Sequence, residues 1–61
     1  MESYFGFRVG DVVRTLHGGQ MVDAILERTG PTVIQVNING NSLLAMWRKD
    51  DGQVIAITHV G

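Results

Sequence analysis

The side chains that could carry out chemistry in this chain of 61 residues are few and far apart. His17 and His59 are the two imidazoles, and their separation is not one at which metal ligands usually occur. The chain has no cysteine, which excludes a thiolate metal site and a Cys–His nucleophile. Ser3 and Ser42 are the serines, and neither belongs to a recognisable Ser–His–acid set. We therefore expect no metal site, no cofactor and two histidines with structural roles.

Two further motifs have a structural interpretation as well. Asp50-Asp51-Gly52 is typical of a turn rather than of a pair of catalytic carboxylates. Gly18-Gly19 is not part of a Gly-x-Gly-x-x-Gly pattern, no Walker lysine follows it, and no helix starts there to hold a phosphate. The sequence thus predicts a protein without catalytic activity.

Composition limits the class of protein and of partner. Five basic residues against six acidic ones give a net charge of -1, which is unfavourable for tight binding to a polyanion. No stretch approaches the roughly 20 apolar residues of a membrane span, and there is no pattern of a signal peptide. Together with the lack of cysteine, this predicts a cytoplasmic protein with no membrane association. We expect one domain over residues 1–61, in which residues 1–7 form a leader that lies against the rest.

The elements that must position these residues are short strands. Apolar runs rich in Val and Ile are separated by turn residues at Gly18-Gly19, Gly30-Pro31, Asn39-Gly40 and Asp50-Asp51-Gly52. We predict five strands, near residues 10–16, 20–28, 32–38, 42–49 and 53–60. No segment keeps the i, i+3, i+4 spacing of an amphipathic helix for three turns. The predicted fold is all-β, a small five-stranded SH3-like barrel.

Two hairpins determine which side chains share a face. Asn39-Gly40 indicates a two-residue turn that pairs Val36 with Leu43. The next hairpin leaves two registers open, since a two-residue turn pairs Trp47 with Ala56 and a three-residue loop pairs it with Ile55. We favour the second, because it gathers the larger residues on one face. That inner set is Ile34, Val36, Ile38, Leu43, Ala45, Trp47, Ile55 and Ile57.

The segment from Val9 to Val22 resembles the beginning of the YodC-like family, small uncharacterised bacterial proteins with an SH3-like barrel. The resemblance rests on Val9-Gly10-Asp11-Val12-Val13, Leu16, Gly18-Gly19, Met21-Val22 and a late tryptophan, Trp47. The family has a cysteine where this chain has Ala45, and residues 29–42 are longer here. The resemblance implies a barrel fold and assigns no activity.

Two other groups of SH3-like proteins are similar over shorter stretches. The opening Gly10-Asp11 and the valines after it are similar to the KOW motif of ribosomal and transcription proteins. The same opening, with Val33-Ile34-Gln35-Val36, is similar to the type II dihydrofolate reductases. These likenesses imply the alternatives of a nucleic-acid-binding barrel and of an oligomeric enzyme whose site lies on a symmetry axis.

The predicted outer face carries more apolar side chains than solvent exposure explains, and an apolar strip of this kind is typical of an interface. The predicted interface residues are Val33, Gln35, Leu44, Met46, Arg48 and Val54. The alternative is that the leader or the tail covers the strip. Pairing through the edge strand at residues 53–60 is a rival geometry.

These observations lead to one main functional hypothesis. The sequence predicts a small bacterial or phage protein that acts as a non-catalytic interaction module on a larger protein partner. A domain of this size has a thin core and no disulfide, so we also expect it to form a homo-oligomer, most simply a dimer. Nucleic-acid binding is the alternative, and its candidate surface consists of Arg8, Arg14, Arg48 and Lys49 near Phe7 and Trp47.

Overall fold

A computed structural model of the protein describes residues 4–58, which fold into an all-β, five-stranded SH3-like barrel. The strands are β1 (Val12–His17), β2 (Gln20–Arg28), β3 (Val33–Ile38), β4 (Asn41–Asp50) and β5 (Gln53–Thr58). The predicted fold class is confirmed, and the predicted strand ends agree with the structure to within two residues over the described range.

Each strand pairs antiparallel with the next, and β1 pairs with β5 to close the barrel. The closing pair is parallel because an up-and-down order of five strands returns to its starting direction. Thr15 lies beside Ala56, and Leu16 lies beside Ile57. The barrel is closed, so the edge at β5 that the rival geometry requires is paired at these positions.

The hairpin turns set the register. Asn39-Gly40 pairs Val36 with Leu43, as predicted. Asp51-Gly52 also forms a two-residue turn, in which both residues have positive φ, 52° and 80°. This is the backbone of a type I′ turn, for which Asp-Gly is one of the preferred pairs. Trp47 therefore pairs with Ala56, and the favoured three-residue loop was wrong.

The register of β5 reverses the predicted faces of that strand. Ala56 and Thr58 are buried in the barrel, whereas Ile57 is on the outer face beside Met46. The physical reason is the volume of the indole: a small barrel fills its interior by alternating large and small side chains, and alanine opposite Trp47 fits. Ile55 is also on the outer face, where it is nearly covered in a depression that Arg14 helps to line.

The barrel interior is an apolar cluster with contributions from every strand. Its buried members are Val13, Ala24, Leu26, Ile34, Val36, Ile38, Ala45 and Ala56, and the partly buried residues packed against it are Phe7, Val22, Leu43 and Trp47. Thr15 is fully buried in this interior, and its hydroxyl has no hydrogen-bond partner among residues 4–58.

The segment before β1 is held to the barrel by the residues that the sequence singles out. The Asp11 carboxylate accepts a hydrogen bond from the Arg8 backbone amide, and the Gly10 amide donates one to the Leu26 carbonyl. Gly10 has a φ of 98°, a conformation that favours glycine.

Candidate interaction surface

An exposed apolar patch lies on the outer face of β3 and β4. Val33, Leu44 and Met46 are 54%, 61% and 50% exposed. Val33 and Met46 are direct cross-strand partners, and Leu44 lies two positions before Met46 on the same side of β4. The three side chains line a shallow depression of about 200 Å³ whose floor is Ala45. We call these three residues the β3–β4 patch.

The β3–β4 patch continues across the barrel as a row of apolar cross-strand partners. Met46 is paired with Ile57, Ile57 with Leu16, and Leu16 with Met21. The row therefore contains one apolar side chain from each of the five strands. Sequence analysis missed the part from Ile57 to Met21, because the assumed register of β5 turned Ile57 inwards. The Asp51-Gly52 pair was the signal that could have found it.

The other predicted interface residues lie around the patch in different ways. Gln35 is the cross-strand partner of Leu44 and is half-buried, and Arg48 follows Met46 along β4 and is exposed. Val54 is not part of this surface. Val54 pairs with Lys49, and Ala56, two residues later, pairs with Trp47. Val54 therefore lies on the same side of β5 as Ala56, away from the β3–β4 patch.

A carboxylate is held beside the β3–β4 patch by three side-chain donors. Glu27 lies where the register between β2 and β3 shifts, and its side chain extends over β3 to β4. Its Oε1 accepts hydrogen bonds from Ser42 Oγ at 2.6 Å and from Gln35 Nε2 at 3.1 Å. Its Oε2 accepts one from Asn37 Nδ2 at 3.2 Å. These hydrogen bonds lower the pKa of Glu27 below its ordinary value, and the bond from Ser42 has the largest effect.

Sequence analysis did not single out Glu27. Its three donors come from two other strands, so the arrangement depends on how β2, β3 and β4 pair. A lone glutamate among strand residues carries no signal of this arrangement. The result is an ionised carboxylate, held by hydrogen bonds, on the Leu44 side of the β3–β4 patch. Arg48 lies on the opposite side of the patch, after Met46.

Aromatic side chains cover one end of the barrel. Phe7 stacks on Trp47 with a centroid distance of 5.3 Å and an interplanar angle of 16°, and Phe5 meets the same ring edge-on at 5.7 Å. The Trp47 indole N–H donates a 3.0 Å hydrogen bond to the Gly30 carbonyl. Trp47 is thus engaged in packing, as the core interpretation requires, and its ring is not a free platform for a nucleic-acid base.

His17 and Ser42, two of the side chains that could carry out chemistry, each have a side-chain partner in the barrel. Thr58 Oγ1 donates a hydrogen bond to the Leu16 carbonyl, so its contact of 2.9 Å with His17 Nδ1 requires the ring nitrogen to be the donor. Among residues 4–58, no three His, Cys, Asp or Glu side chains come together as they would around a metal ion. Ser3 and His59 lie outside the described residues.

Comparisons with known proteins leave the resemblance in the opening segment as a prediction. No family model, curated protein or solved structure matches the chain. The described part of the chain also contains no helix that is long and apolar enough to cross a membrane.

Proposed function

We propose that this protein is a non-catalytic interaction module that binds a larger protein partner through the β3–β4 patch. The observation that carries the proposal is the exposure of Val33, Leu44 and Met46 side by side on a rigid sheet. Apolar area gains about 25 cal/mol per Å² when it leaves water, so contiguous exposed area of this kind favours association.

The surroundings of the patch have the composition of an interface. The apolar centre is bordered by Gln35, Arg48 and the Glu27 carboxylate. Protein interfaces commonly combine an apolar centre with a polar rim that fixes register and orientation. Because Glu27 is already held by three donors, little side-chain entropy is lost when a partner binds it.

The remaining parts of the proposal rest on the sequence. A non-catalytic role follows from the sparse chemistry-bearing side chains, and a cytoplasmic location from the lack of cysteine. In this proposal the protein is an accessory factor or modulator of bacterial or phage origin. Nucleic-acid binding is less well supported, because Trp47 is packed beneath Phe7 and the net charge is -1.

A site-specific cross-linking experiment tests the proposal. A photoreactive amino acid replaces Leu44 in one variant and Lys49 in a control variant. Lys49 is exposed but lies on the other side of β4. Each variant is irradiated in extract of the native host, and the partner linked at position 44 is identified by mass spectrometry and purified. Its affinity for the parent protein and for the double variant Leu44→Glu/Met46→Glu is then measured by calorimetry.

We expect a cross-link at position 44 that is absent at position 49, and a loss of binding in the folded double variant. Lys49→Glu is the matched control and should bind as the parent does. Equal binding by the parent and the double variant would show that the β3–β4 patch is not the interaction surface. Binding of a single-stranded nucleic acid that weakens steeply with salt would favour the alternative function.

A further inference from the structure

We propose that the β3–β4 patch also binds a second copy of this chain, in a two-fold dimer with antiparallel β4 strands. In this dimer Arg48 of each copy contacts Glu27 of the other. The inference rests on the proposed function, because it uses the same patch and names one occupant for it.

The order of side chains along the outer face of β4 is the first argument. Ser42, Leu44, Met46 and Arg48 alternate with inward residues and form one outward row. Two residues of a strand span about 7 Å, so the row is about 20 Å long from Ser42 to Arg48. Its centre lies outside Ala45, between the two apolar side chains.

The charges at the ends of this row are opposite. Glu27 comes from β2, but its bond to Ser42 places the carboxylate at the beginning of the β4 row. Arg48 lies on the other side of Leu44 and Met46 and is exposed, and within residues 4–58 it forms no ion pair. Asp50 follows Arg48 on the same side, at the end of β4. The part of the row from Glu27 to Arg48 therefore reads negative, apolar, apolar, positive.

A two-fold axis across the centre of the row makes this pattern self-complementary. When two copies face each other with β4 antiparallel, Leu44 lies over Met46 of the second copy and Arg48 over the Glu27 carboxylate, each contact occurring twice. An isologous interface repeats every contact in this manner. Packing with parallel β4 strands would instead place Glu27 over Glu27 and Arg48 over Arg48, which like-charge repulsion disfavours.

The size and charge of the molecule allow such a dimer. The described surface has an area of 4218 Å², so a standard interface of about 800 Å² per partner would use about a fifth of it. The net charge of -1 gives little overall repulsion between copies. A second copy also supplies the apolar burial that a barrel of this size lacks.

Charge reversal tests the arrangement, with dimer affinity measured by sedimentation. Arg48→Glu and Glu27→Lys should each weaken the homodimer by about tenfold or more, because each places two like-charge pairs in the interface. An equimolar mixture of the two variants should form a heterodimer close to parental affinity, because both pairs are then opposite in charge. Lys49→Glu makes the same charge change as Arg48→Glu on the other side of β4, and it should leave the dimer unchanged.

Each result supports or overturns the two-fold dimer. Arg48→Glu leaves the bonds of Glu27 intact, so an unchanged dimer for this variant overturns the antiparallel arrangement even where Glu27→Lys fails to fold. A parent protein that stays monomeric at hundreds of micromolar overturns the dimer but not the proposed function, which depends on a cross-link to a different protein at position 44. A parent dimer unaffected by Leu44→Glu/Met46→Glu, with no cross-link at position 44, overturns both.

Discussion

Glu27 and Ser42 are fifteen residues apart in the chain, yet the Ser42 hydroxyl donates a 2.6 Å hydrogen bond to the Glu27 carboxylate. This contact joins β2 to β4 across the outer face of β3. It brings a carboxylate to the β3–β4 patch, on the opposite side of Leu44 and Met46 from Arg48.

The first prediction concerns the ionisation of Glu27. Its hydrogen bonds lower the pKa of Glu27 in the folded state. Their contribution to stability is therefore fully present above the pKa of Glu27 in the unfolded chain, about 4.3. It is lost as the pH falls through the lower pKa of the folded state. In Ser42→Ala the pKa of Glu27 should rise towards its ordinary value, because the first cause of the shift is removed. Titration of the Glu27 side-chain carbon by NMR measures both proteins. An ordinary pKa in the parent would contradict the hydrogen-bonded arrangement.

The second prediction compares two buried threonines in the same barrel. Thr15→Val should stabilise the fold by about 1 kcal/mol, because it removes a buried hydroxyl that has no partner in the described part of the chain. Thr58→Val should destabilise it by about 1 to 2 kcal/mol, because the substitution removes the hydrogen bond to the Leu16 carbonyl and leaves His17 Nδ1 without its acceptor. Thermal melts should move in opposite directions, by about 4–8 °C per kcal/mol for a domain of this size. Shifts of the same sign would contradict the assignment of partners.

The third prediction concerns Trp47. Trp47→Ala should cost about 3 kcal/mol, because it removes the ring on which Phe5 and Phe7 pack and leaves a cavity at the end of the barrel. Trp47→Phe keeps an aromatic ring but loses the bond to the Gly30 carbonyl, so it should cost about 1 kcal/mol. Chemical denaturation measures both. A Trp47→Ala variant as stable as the parent would place the ring outside the core.

The fourth prediction concerns the space beside Gly30, the acceptor for Trp47. A Cβ atom at this position would lie 2.9 Å from the Val33 carbonyl oxygen, a backbone atom that cannot move aside alone. Gly30→Ala should therefore cost about 1 to 3 kcal/mol through overpacking. Denaturation of this variant checks the value, and NMR should show displaced amide signals near Val33. Parental stability with unmoved signals would contradict this close approach.

Local signals in the sequence determined the fold class and most of the strand ends. Turn pairs such as Asn39-Gly40 need positive φ at both positions, and apolar runs between turns predict strands whatever the rest of the chain does. The same local chemistry paired Val36 with Leu43 correctly. The register of the Asn39-Gly40 hairpin also placed Val33, Leu44 and Met46 together on the outer face.

The tertiary structure decided between the two registers that the sequence left open for β5, and it alone determined the position of Glu27. The two registers at Asp51-Gly52 differ by one residue, and the packing of Ala56 beside Trp47 and Thr15 in the closed barrel distinguishes them. Glu27 depends on a bulge between β2 and β3 and on donors from two other strands. Contacts of this kind form when segments distant in the chain share the volume and hydrogen bonds of one barrel. The pattern of apolar and polar residues along the chain does not predict them.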